Sequence, residues 1–157
     1  MKNYFLYEPY VDIQLANGSL HSIYLTKDSG CVFYRWKIDT ISNVRHPGIF
    51  LGIDQAGIRY FMHNHFENGR PCITTLQEFS KGQEIYPNEN PASNSPKQII
   101  QKGLDQIKVG LPYNWAAYNC QTFVNVASNN QSKSEDVAKW VGIATFGLLA
   151  FLVVKSL

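Results

Sequence analysis

Two short apolar runs separated by four turn residues constrain this chain more than any other feature. Gly48 to Ile53 reads GIFLGI, Ile58 to His63 reads IRYFMH, and Asp54-Gln55-Ala56-Gly57 lies between them. Runs of this length bounded by turn residues suit buried strands, so the spacing predicts an antiparallel hairpin. With the turn centred between Gln55 and Ala56, His46 falls opposite His65, and Gly48 opposite His63. Strand side chains alternate with period two, so His46, His63 and His65 then share one sheet face at the open end of the hairpin. A slip of one residue would move one strand's histidines to the other face.

Other elements follow from local signals. Residues 4–15 mix aromatic and β-branched types and predict a strand, and Asn17-Gly18 marks a turn back into residues 20–25. CVFYRWK at 31–37 is a third candidate strand, 38–45 a polar loop, Asn68-Gly69 a turn and 72–76 a further strand. Residues 87–96 hold three prolines and several Asn and Ser, the composition of a surface loop between a β-rich half and a helical half. Ser95 is an N-cap with Pro96 at the first helical position. Ile99, Ile100, Leu104 and Ile107 keep helical spacing, and Gly110 ends the helix. A second helix begins near Asn119, with Phe123, Val124 and Ala127 on the same side as Cys120.

Composition excludes several classes. Hydrophobic residues make up 45% of the 157 and charged residues 17%, which is not a disordered chain. A net charge of +2 is too small to indicate nucleic-acid binding. Three cysteines form a poor disulfide framework, no CxxC occurs, and the four histidines are not spaced as zinc ligands; no metal or cofactor is expected. The thiols read as reduced, as in a cytoplasmic protein, with a Cys31–Cys72 bridge as the alternative. The N-terminus lacks the apolar run of a signal peptide.

Cys120 is the residue placed for chemistry. In the first turn of a helix capped by Asn119, backbone N–H groups and the helix dipole favour a thiolate, which is the nucleophilic form. The same N–H groups suit an oxyanion. The competing reading is that Cys120 is a small buried hydrophobe. Cys31 and Cys72 look strand-borne among apolar neighbours, and His21 looks like a surface residue. A thiolate enzyme needs a base oriented by a third group, which the histidine hairpin can supply.

Four segments, taken in order, resemble the lecithin:retinol acyltransferase-like branch of the NlpC-type, circularly permuted papain-fold enzymes. Arg45-His46-Pro47-Gly48-Ile49-Phe50-Leu51-Gly52 is similar to that family's His-x-Gly/Ala-Ile-Tyr-x-Gly strand, and Phe61-Met62-His63 to its next strand. CITTLQEFSKGQEIY resembles its strand, Leu-x-x-Phe helix start and Gly turn. Tyr113-Asn114 and Asn119-Cys120-Gln121-Thr122-Phe123-Val124 resemble its Tyr-Asn…Asn-Cys-Glu-x-Phe motif. The likeness spans roughly residues 40–138. It implies an α+β fold, a small antiparallel sheet packed against helices, with Cys120 as nucleophile, His46 as base and His63 as the orienting group. Pro47 and Gln121 depart from the family pattern, and His65 competes with His63 for the third role.

The expected organisation is a catalytic domain over 1–138 and a C-terminal hydrophobic helix over 139–157. Trp140–Val154 is an uncharged run of 15 residues, about 22 Å as a helix against a hydrocarbon core of ~30 Å. It suits a short membrane anchor, an interfacial helix or a packed helix, with Trp140 and Lys155 at its ends. The leading expectation is therefore a thiol acyl hydrolase or acyltransferase acting on lipid acyl groups, with a phospholipid as one candidate substrate and membrane contact through 140–154. A peptidase or amidase with the same catalytic groups, and a catalytically silent binding module, are the alternatives.

Overall fold

The computed structural model describes residues 10–15, 18–36 and 45–131. Residues 4–9, Asn17, most of the expected 38–45 loop and the whole of the 139–157 helix lie outside the described residues. Among the described residues no helix is long and apolar enough to cross a membrane.

The chain is α+β. Among the described residues seven strands form one antiparallel sheet: β1 Tyr10–Gln14, β2 Leu20–Tyr24, β3 Val32–Trp36, β4 Arg45–Ile53, β5 Arg59–His65, β6 Arg70–Thr75 and β7 Tyr86–Pro87. Three α-helices among the described residues follow or interrupt them: α1 Leu76–Ser80, α2 Pro96–Val109 and α3 Cys120–Asn129. β4 is the hub of the sheet. Its first half pairs with β3, its last residue Ile53 meets Tyr24 of β2, and β5 lines its other edge. Gly52 permits the β2 approach, since a Cβ there would stand 2.3 Å from the Tyr24 carbonyl oxygen.

The β4–β5 register is the expected one at the histidine end, with Ile49 opposite Met62 and Phe50 opposite Phe61. Near the turn it shifts at Leu51, so Gly52 meets Tyr60. Such a bulge adds one residue and strengthens the local twist. Asp54 closes the turn by accepting from the Ala56 and Ile58 N–H groups, and Gly57 supplies the positive φ of 80°. β7 was not expected. It overlaps the first residue of the polar stretch and pairs with β3.

Helix limits follow their caps. Ser95 and Gln98 form a reciprocal capping box, and Gly110 ends α2 at φ 65°. Ile99 and Ile100 pack with Ile49, Leu51, Met62, Ile73, Phe123 and Val124 in an aliphatic-rich core under α2 and α3. α2 sits close because its Gly103 has no side chain: a Cβ there would lie 2.8 Å from Met62 Cε. The opposite face of β4 and β5 carries Phe50 and Phe61, packed with Phe79 of α1.

Candidate active site

The histidine end of the β4–β5 hairpin is built by strand alternation. His46 shares a face of β4 with Gly48 and Phe50, and His63 and His65 share a face of β5 with Phe61. All three rings are buried, at 1%, 4% and 5% exposure. The His46 ring meets His65 edge-on at a centroid distance of 4.8 Å and His63 at 5.2 Å. A polar contact joins it to His63: His46 Nε2 and His63 Nδ1 are 3.0 Å apart. His65 Nδ1 instead accepts from the Glu67 N–H at 3.3 Å, capping the short 3₁₀ turn Phe66–Asn68.

The chain of contacts continues beyond His63. Its Nε2 lies 2.9 Å from Thr74 Oγ1 and 3.8 Å from Cys72 Sγ. Cys72 is the direct cross-strand partner of His63, and Thr74 lies two residues further along β6 on the same face. The Cys72 sulfur accepts from Asn68 Nδ2 at 2.8 Å, and burial pushes its thiol pKa up. It is therefore a protonated neighbour of the histidines. Cys31 is exposed, just before β3. His21 is half-buried and not a plain surface residue, with its ring nitrogens beside Ser19 Oγ and the Tyr60 hydroxyl.

Burial, and then the positive charges of His65, Arg35 and Lys81, push the pKa of His63 down to about 3. The ring is consequently neutral at ordinary pH and carries one proton. A proton on Nε2, donated to Thr74 Oγ1, leaves Nδ1 as acceptor for an Nε2–H of His46. That tautomer leaves Nδ1 as the unprotonated nitrogen of His46, able to accept a proton. Arg35, opposite His46 on β3, is itself buried and donates from Nε to the Phe79 carbonyl at 2.6 Å. Phe79 in turn lies over Gly48, where a Cβ would come within 2.6 Å of its ring.

Cys120 opens α3, and Asn119 caps it. Asn119 Oδ1 accepts from the Gln121 and Thr122 N–H groups at 2.9 and 3.0 Å, and the Phe123 N–H donates to the Asn119 carbonyl. Those three N–H groups are thus engaged, and they act on Cys120 through the helix dipole rather than as direct donors to an oxyanion. The preceding loop is tied to the histidine end of the sheet at two points. Asn64 Nδ2 donates to the Tyr118 carbonyl at 2.9 Å, and the Tyr113 N–H donates to the Gly69 carbonyl at 2.7 Å. Asn64 lies between His63 and His65, so the start of α3 is held at that end. The Tyr113 hydroxyl senses the thiol: its pKa rises to about 12 through burial and then through the charge of Cys120.

Sequence reasoning missed Thr74, Arg35 and Asn68. Period-two alternation on β6 would have indicated Thr74 once Cys72 was set opposite His63. Nothing local marks Arg35, whose partner lies 44 residues away. Among the described residues no group of three His, Cys, Asp or Glu side chains is arranged to hold a metal ion. No family model matches the chain, and neither a curated protein nor a solved structure matches it.

Proposed function

We propose that this chain is a cysteine-nucleophile acyl hydrolase or acyltransferase with a circularly permuted papain-like arrangement, similar to the lecithin:retinol acyltransferase-like enzymes. His46 Nδ1 takes the proton of Cys120, and the thiolate attacks an ester or amide carbonyl carbon. The leaving alcohol or amine departs with a proton from His46, and a thioester remains on Cys120. His46 then removes a proton from water or an acceptor, which releases the acyl group. Throughout, His63 stays neutral and accepts from His46 Nε2–H, with Thr74 Oγ1 behind it. A lipid acyl group is the proposed donor on account of the apolar run Trp140–Val154, which would also bring the enzyme to a membrane.

The observation that most supports this reading is the 3.0 Å contact of His46 Nε2 with His63 Nδ1, buried at the sheet end to which the start of α3 is tied. A thiol-directed acyl probe tests it, in fatty-acyl and peptidyl versions, on wild type, Cys120→Ala and His46→Ala. Labelling at Cys120 should fall by about 10²–10⁴-fold in His46→Ala, the usual contribution of a general base. Preference for the peptidyl probe would redirect the assignment to a peptidase or amidase. One observation favours a silent binding module: Cys120 is 4% exposed. Folded protein in which neither probe labels Cys120 would establish that second reading.

A further inference from the structure

A small pocket of about 100 Å³ lies between β3, β4, α3 and the segment after β7. Its walls include chain neighbours of both proposed reacting residues. Gln121 follows Cys120, Val124 lies one helical turn below it, and Arg45 and Pro47 bracket His46. The pocket is on the α3 face of β4, opposite the histidine rings, because 45 and 47 alternate with 46.

The wall is rich in donors. Asn129 Oδ1 accepts the Ser93 N–H at 3.0 Å, and Asn88 Oδ1 accepts the Asn90 N–H at 3.4 Å. A backbone N–H can only donate, so each of these amides must direct its oxygen there, and its Nδ2 donors point elsewhere. Arg45 adds a guanidinium, steadied 5.1 Å above the Tyr34 ring. Among the described residues no Asp or Glu lines the pocket. The cavity on the histidine side differs, since Glu67 and Glu78 line it beside Arg35 and Lys81. At about 100 Å³ the pocket has room for a polar group.

We propose that this pocket binds an oxyanion group, a carboxylate or phosphate, carried by the acyl substrate next to the carbonyl that Cys120 attacks. Arg45 supplies the charge and the planar pair of donors, and the Asn88 and Asn129 amides complete the set. As a substrate site, it rests on the Cys120 reading above. The enzyme would then select acyl donors that carry an anionic group over neutral esters of equal length.

Paired alkylating reagents test this directly. Iodoacetate carries a carboxylate and iodoacetamide does not. Rates at Cys120 are read by mass spectrometry, at low ionic strength, against free cysteine. The iodoacetate-to-iodoacetamide ratio should exceed that of free cysteine at least tenfold, and inorganic phosphate or acetate should suppress the excess saturably. The better competitor identifies phosphate or carboxylate as the natural group. Arg45→Gln and the isosteric Asn129→Asp, which turns a donor into an acceptor, should return the ratio to that of free cysteine. A Cys120 that reacts with both reagents at the free-cysteine ratio, or a ratio unmoved in both variants, overturns the proposal. Should neither reagent reach Cys120, the catalytic reading fails by itself. Calorimetric titration of Cys120→Ala with phosphate and with acetate then decides the pocket: saturable heat with either, lost on adding Asn129→Asp, upholds an oxyanion site, and no heat with both overturns it.

Discussion

Ile49 and Leu51 pack from β4 into the core beneath α2 and α3, while His46, Gly48 and Phe50, alternating with them, meet Phe61, Phe79 and the other two histidines. The same nine residues therefore serve two unlike neighbourhoods. On the helix side, burial of apolar area supplies the stability, and its energetics follow volume. On the histidine side, imidazoles are taken out of water, a cost that only specific partners offset. His63 meets that requirement through His46 Nε2 and Thr74 Oγ1. The lesson is that β4 can hold the fold with one face while the other gathers the histidine rings, provided the two remain separable.

Changes on each face test that separation, and the largest effect belongs to the helix side. Ile49 is fully buried, so Ile49→Ala should cost about 2–5 kcal/mol in urea unfolding, while the His46 dependence of Cys120 alkylation persists in the folded fraction. Loss of that dependence would show the faces to be coupled. Next comes the adjacent residue. In Gly48→Ala the new methyl would collide with the Phe79 ring, which lies 5.7 Å from His46 and 5.4 Å from His63 by centroid. Overpacking should cost about 1–3 kcal/mol, and here Cys120 alkylation should slow as well. An unchanged alkylation rate would mean that Phe79 does not position the pair.

The third test uses pH. The folded pKa of His63, about 3, lies below the ordinary value of 6.5. The unfolded chain therefore binds the extra proton first, and stability is lost as pH falls from about 6.5 towards 3. The contribution is at most one proton, about 1.4 kcal/mol per pH unit. His63→Asn should flatten that slope; a slope equal to wild type would place the acid sensitivity elsewhere. The smallest effect is that of Thr74→Val, which removes one acceptor from His63 Nε2 at about 1 kcal/mol. It should slow Cys120 alkylation severalfold, with Thr74→Ser restoring the wild-type rate. Failure of the serine to rescue would reduce Thr74 to packing.

The elements legible in the sequence are those that local interactions decide. Ser95, Gly110 and Asn119 set the helix limits because a cap satisfies backbone groups within a few residues. Asp54 and Gly57 set the turn, and the turn together with period-two alternation set the register that gathers the three histidines. The same local patterning placed Cys120 in the first turn of a helix, and it opens α3. Tertiary structure alone decided the rest. It chose which strands share the edges of β4, placed the bulge at Leu51, and added β7 to β3. It joined His46 to His63 by a hydrogen bond, brought Thr74, Cys72 and Arg35 around that pair, and set the Asn129 side-chain oxygen on the Ser93 N–H. These features join residues far apart in the chain, and their geometry follows from packing several elements at once, which no local window of sequence contains.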